Sequence, residues 1–70
     1  MKVSARNLLK GSVVKIEKGA VNSVVYLETD RGEEIVSVIT NHSVDRLGLT
    51  PGKPAYAMVK ASSVMMVVDD

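Results

Sequence analysis

Three short polar runs hold the residue types that bind an anion. Ser4-Ala5-Arg6-Asn7, Thr40-Asn41-His42-Ser43 and Lys60-Ala61-Ser62-Ser63 each combine hydroxyls with a segment able to turn backbone N–H groups outward. The first and last also carry a cation. A tetrahedral dianion needs several donors, and Ser, Thr, Arg, Lys and backbone N–H supply them, with the cations giving the stronger, charge-assisted bonds. Turns rich in N–H groups and the starts of helices are natural anion sites. None of the three runs contains a carboxylate, which would repel such a ligand. Each run also has a purely structural use. Ser62 and Ser63 suit a turn, Thr40 and Asn41 suit a helix cap, and Lys60 suits a solvated strand end.

Other chemistry finds little support. With no cysteine and one histidine, His42, the chain offers neither a nucleophile–base pair nor a zinc–thiolate site. His42 stands in a polar stretch and reads as a solvent-exposed residue. The glycines at 11, 19, 32, 48 and 52 are isolated, so no phosphate-binding loop is present. A non-enzymatic protein is expected.

The elements that must position these runs are mostly strands. The apolar residues are dominated by Val, which favours β structure. A first strand is expected over Ala5–Lys18, with Gly11 marking a bulge or bend. A second follows over Val21–Thr29. Asp30-Arg31-Gly32 then makes a hairpin turn, and a third strand covers Glu33–Thr40. Asn41–Leu47 reads as one or two helical turns, capped by Thr40 or Asn41 and ended by Gly48. Thr50-Pro51-Gly52-Lys53 carries a type II turn signature. A fourth strand follows over Pro54–Lys60, and a fifth over Val64–Val68 after a break at residues 61–63. Five strands with a helix between the third and fourth match an OB-type barrel. The expected fold is therefore all-β, a five-stranded OB-like barrel with one short helix, in a single domain over residues 1–70.

Several strands are apolar on both faces. Ile35 and Ile39 oppose Val36 and Val38, Val25 and Leu27 oppose Val24 and Tyr26, and Val64, Met66 and Val68 oppose Met65 and Val67. A small barrel has one interior, and no helix here is long enough to cover a second apolar face. A partner subunit is the simplest cover. Chain length argues the same way, because 70 residues without disulfides make a marginal core.

Net charge is +1 and the only aromatic residues are Tyr26 and Tyr56, too little field and too few stacking rings for a nucleic-acid-binding OB domain. A regulatory or assembly module acting on another protein is the other alternative. The opening MKVSARNLLKGS lacks the continuous apolar run of a signal peptide and no stretch approaches a membrane span, so a cytoplasmic protein is expected.

SARNLLKG at Ser4–Gly11, GAVNSVVYLET from Gly19, ITNHSVDRLGLTPGK from Ile39 and AYAMVKASSVMMV from Ala55 together resemble the molbindins, small proteins made of one molybdate-binding (Mop) domain and related to TOBE domains. The resemblance spans essentially the whole chain. It implies an OB-like barrel assembled as a hexamer, a trimer of dimers, that holds molybdate or tungstate between subunits for storage and homeostasis. Carried over by position, Ser4, the Ala5 N–H and Arg6 match one part of the binding pattern. Lys60, Ala61 and Ser62 match another, with Ala61 offering only its N–H where some members carry Ser. Thr40 and Ser43 match an element that the family contributes from a neighbouring subunit. The family also has a second kind of site near the threefold axis, for which the turn Gly19, Ala20, Val21, Asn22 and Ser23 is the candidate here.

Overall fold

A computed structural model describes all residues, 1–70. Strand β1 (Asn7–Lys18) is followed by β2 (Asn22–Thr29), β3 (Glu34–Thr40), helix α1 (Asn41–Leu47), β4 (Pro54–Val59) and a single 3-10 turn (Ala61–Ser63). The four strands form one antiparallel sheet in the order β3-β2-β1-β4. The long β1 is the spine, pairing with β2 along one edge and β4 along the other.

Two expectations are corrected. The sheet is four-stranded, with β3 and β4 as its edges, where a five-stranded OB-like barrel was expected. The expected fifth strand, Val64–Val68, is absent, leaving four strands. A strand exists only where a ladder satisfies its backbone, and this segment has no hydrogen-bonded neighbour within the chain. Its side chains stand in solvent, Met65 being 92% exposed.

The bulge in β1 falls at Val14, three residues after the glycine expected to mark it. Val13 faces Leu27 and Lys15 faces Tyr26, so Val14 is the extra residue. The insertion resets the period-2 alternation, and Val13 and Ile16 consequently both point to the core. Gly11 has a different task. It lies between β2 and β4, opposite Thr29 and Ala55, where a β-carbon would overlap the backbone carbonyl of Glu28.

Val13, Val25 and Leu27 form the buried centre, with Ile16, Ile35, Ile39, Val44, Leu49, Ala55 and Ala57 packed around it. Only these three apolar side chains are buried, a small core for a chain of this length. The other sheet face carries Leu8, Val36, Val38, Tyr56 and Met58, all exposed. The radius of gyration is 13.1 Å, larger than the about 11 Å of a compact domain with this many residues.

Helix α1 is short but fully punctuated. The Thr40 hydroxyl oxygen accepts the Ser43 N–H at 3.0 Å and its O–H donates to the Ser43 hydroxyl at 2.9 Å, which makes Thr40 the cap. At the other end Gly48 adopts the left-handed conformation, φ 64°, and its N–H returns to the carbonyl of Asp45. The type II turn is present, with Gly52 at φ 93° and the Lys53 N–H on the Thr50 carbonyl at 3.0 Å.

Candidate functional site

The β1–β4 ladder brings the first and last polar runs together. Leu8 pairs with Met58 and Asn7 with Val59, after which the strands part. The ladder ends just before Arg6 on one strand and Lys60 on the other. The separation opens a cleft of about 740 Å³ lined by Val3, Ser4, Ala5, Arg6, Met58, Lys60, Ala61 and Ser62. Six of the eight residues expected to bind an oxyanion thus share one cleft.

The cleft is rich in free donors. The N–H groups of Ser4, Ala5, Arg6, Ala61 and Ser62 donate to no backbone carbonyl, and none of the lining side chains makes a hydrogen bond within the chain. The 3-10 turn after Lys60 accounts for two of these groups, because the first N–H groups of a helical turn have no partner behind them. No carboxylate lines the cleft, and neither Arg6 nor Lys60 forms an ion pair. Two cations that line one cleft repel each other. A dianion between Arg6 and Lys60 would turn that repulsion into two attractions.

Thr40 and Ser43 are not in this cleft. They lie where β3 passes into α1, and Thr40 pairs with Asn22 near the end of β1 remote from Arg6. All twelve residues of β1 stand between the two places, so Thr40 and Ser43 of the same chain cannot complete the cleft.

The turn Gly19, Ala20, Val21, Asn22 and Ser23 is held by Asn41. The Asn41 N–H donates to the Val21 carbonyl at 2.8 Å and its side-chain amide to the Gly19 carbonyl at 2.9 Å. Ser23, buried at 2% exposure, donates its hydroxyl to the Asn41 side-chain oxygen. That hydroxyl is committed to the fold, whereas the Ala20 and Val21 N–H groups make no bond within the chain. The sequence reading missed this role of Asn41, since a polar residue opening a helix offers its cap as the simpler use.

Val3 and Met58 were also missed as lining residues. Met58 was legible in principle, because it stands two residues before Lys60 in an alternating strand and therefore shares its face. Val3 precedes the strand and carries no periodic signal. His42 is exposed, as expected, and no three His, Asp or Glu side chains gather in a metal-binding group. No helix is long and apolar enough to cross a membrane.

A TOBE domain model matches residues 3–66. The chain is 48% identical over 69 residues to a protein of Haemophilus influenzae named "Probable molybdenum-pterin-binding protein", covering 99% of this chain and 100% of the other. Its fold is similar to that of MopII from Clostridium pasteurianum, with a TM-score of 0.91 and 43% identity over 96% of this chain and all of that one. It is similar also to the cytoplasmic molybdate-binding protein ModG with molybdate bound, at a TM-score of 0.90 and 49% identity, covering 93% of this chain and 46% of ModG. The chain belongs to the TOBE domain family, and it matches molybdenum-pterin-binding proteins of Haemophilus influenzae and Clostridium pasteurianum over 98–100% of their length.

Proposed function

We propose that this protein binds molybdate or tungstate as the bare tetrahedral dianion in the cleft between the start of β1 and the turn after β4, storing the anion in the cytoplasm without catalysing a reaction. The observation that carries this reading is the donor set: two cations without acidic partners and five free N–H groups on a cleft with no carboxylate. Arg6 and Lys60 provide the charge, Ser4 and Ser62 the hydroxyls, and Ala5 and Ala61 backbone donors.

The relatives' names pair molybdenum with a pterin. A pterin is a flat ring with its own donors, best held by an aromatic side chain and a carboxylate or amide acceptor. The cleft has neither, which favours the bare oxyanion.

The cleft is too open to cage one small anion alone. Its volume far exceeds the roughly 30 Å³ share of a water molecule. The reading therefore includes a homo-oligomer, a hexamer built as a trimer of dimers, in which Thr40 of the partner subunit and Ser43 of the partner subunit close the cleft. The small core, the expanded radius and the uncovered face with Val36, Val38, Tyr56 and Met58 support assembly. A seam between subunits excludes water and strengthens each hydrogen bond to the anion. The turn Gly19–Ser23 is the second anion position of the assembly, acting through the Ala20 and Val21 N–H groups because Ser23 is already engaged.

Isothermal titration with molybdate, tungstate, sulfate and phosphate, on protein of measured oligomeric state, tests the reading. Molybdate and tungstate are expected to bind, with hydrogen phosphate disfavoured by an O–H that finds few acceptors. No binding of either metal oxyanion would overturn the proposal. A nucleic-acid-binding OB surface finds no support, since Tyr26 is hydrogen-bonded to Glu17 and net charge is only +1.

A further inference from the structure

The turn between β1 and β2 is closed from outside itself. The Gly19 N–H donates to the Asn22 carbonyl at 2.8 Å, but the Asn22 N–H does not return to the Gly19 carbonyl. That return bond is the one that closes an ordinary four-residue turn. The Gly19 carbonyl is occupied instead by the side-chain amide of Asn41, at 2.9 Å. The Asn41 backbone N–H takes the Val21 carbonyl at 2.8 Å, and the Asn41 side-chain oxygen accepts the buried Ser23 hydroxyl. One residue therefore holds the turn at three points, and both ends of its carboxamide are engaged.

A trans peptide unit is planar, so its C=O and N–H point in opposite directions. With the Gly19 carbonyl drawn to Asn41, the Ala20 N–H points away from Asn41. The Ala20–Val21 peptide lies between two peptides whose carbonyls are both held by Asn41, and neither the Ala20 nor the Val21 N–H has a partner within the chain. Successive free N–H groups in a turn form a concave seat for an anion. We propose that Asn41 is the positioning residue of the second anion position, its carboxamide aiming the Ala20 and Val21 N–H groups at the oxyanion without touching it. The inference rests on the reading of the Gly19–Ser23 turn as that position. Without the Asn41 amide the Gly19 carbonyl is free to take the Asn22 N–H. The Gly19–Ala20 peptide then rotates, and the Ala20 N–H turns off the anion. With the amide in place, the bond to the Gly19 carbonyl and the bond from the Ala20 N–H belong to one peptide unit and polarise each other.

A residue-resolved molybdate titration of the nitrogen-15-labelled, assembled protein tests this. In the native chain, the Ala20 and Val21 backbone amides and the Asn41 side-chain amide are expected to shift at the same molybdate concentration. The chain carrying S23A is then compared with one carrying S23A and N41L, because removing both partners of a buried hydrogen bond strands no polar group. Adding N41L is expected to raise the molybdate concentration for half-shift at Ala20 and Val21 by about ten- to a hundredfold, the scale of one charge-assisted hydrogen bond. The Ala5 and Ala61 amides of the other cleft should respond at an unchanged concentration, which a general loss of structure would not spare. Equal half-shift concentrations at Ala20 and Val21 with and without Asn41 would overturn the inference. So would an equal weakening at Ala5 and Ala61, or an Asn41 side-chain amide that stays still while Ala20 shifts. Loss of the Ala20 and Val21 response in the S23A chain would assign the aim to Ser23 and overturn it as well. A native chain in which Ala5 and Ala61 respond but Ala20 and Val21 do not would instead overturn the reading of the turn, and the inference with it.

Discussion

Arg6 and Lys60 are useful because nothing in the chain neutralises them. The only salt bridge joins Lys15 to Glu17 on the outer face, at 3.8 Å, where Lys15 also lies 5.3 Å from the centre of the Tyr26 ring. Tyr26 donates its hydroxyl to Glu17. That hydrogen bond, with smaller contributions from desolvation and from the Glu17 and Glu34 charges, holds the phenol above its ordinary value of 10.0. The raised value means that the folded state favours the protonated phenol. Its contribution is fully present below pH ~10 and is lost as pH rises through the raised value. In a Y56F background, the tyrosinate absorbance of Tyr26 should therefore rise at higher pH than in a model peptide, and E17A should move it back toward 10. Coincident titration curves with and without Glu17 would remove this account. At this scale the donor-rich, carboxylate-free runs were legible in the sequence, because they are a composition signal. Their grouping was not, since proximity of Ser4 to Ser62 depends on strand register. The burial of Ser23 against Asn41 depends on a contact eighteen residues apart, which no local pattern encodes.

The strands position the site through register, and register depends on two features of β1. The bulge at Val14 sets which side chains reach the core on either side of it, and Gly11 lets β2 approach closely. Gly11→Ala should destabilise the fold by about 1–3 kcal/mol, the usual cost of forcing a methyl group into packed surroundings. Chemical denaturation would measure it, and an unchanged midpoint would show that the β1–β2 spacing relaxes freely. The hairpin at Asp30-Arg31-Gly32, the capped helix and the Pro51-Gly52 turn were legible because each rests on local backbone chemistry. The expected bulge or bend at Gly11 is instead a close approach, because a glycine inside a strand signals either, and only the neighbouring strand decides between them. The fifth strand was overread for a related reason. Val64–Val68 has the composition of a strand, but pairing requires an edge, and the chain alone supplies none to it.

At the scale of the whole molecule, the apolar residues that one chain leaves uncovered are the strongest argument for assembly. Val38 is 65% exposed on an edge strand, and the tail from Val64 to Val68 is open to solvent along its length. Unpaired edges and free apolar segments are liabilities that a partner removes. Deleting residues 64–70 should leave the four-stranded sheet intact by circular dichroism, since no strand is lost, and should reduce the mass measured by sedimentation. An unchanged mass would show that the tail takes no part in assembly. If the anion binds only the assembled form, molybdate at a hundred times its dissociation constant adds about 2.7 kcal/mol of stability and raises Tm accordingly. The two-faced apolar pattern made the uncovered apolar face legible in the sequence, although a pattern of this kind carries no symmetry and no stoichiometry.

Equilibrium dialysis against molybdate, comparing the native protein with R6A and with K60A, addresses the cleft most directly. The account predicts that the native chain retains molybdate. Each variant should bind about ten- to a hundredfold more weakly, because a charge-assisted hydrogen bond is worth about 1.5–3 kcal/mol. Molybdate affinity unchanged in both variants would contradict it.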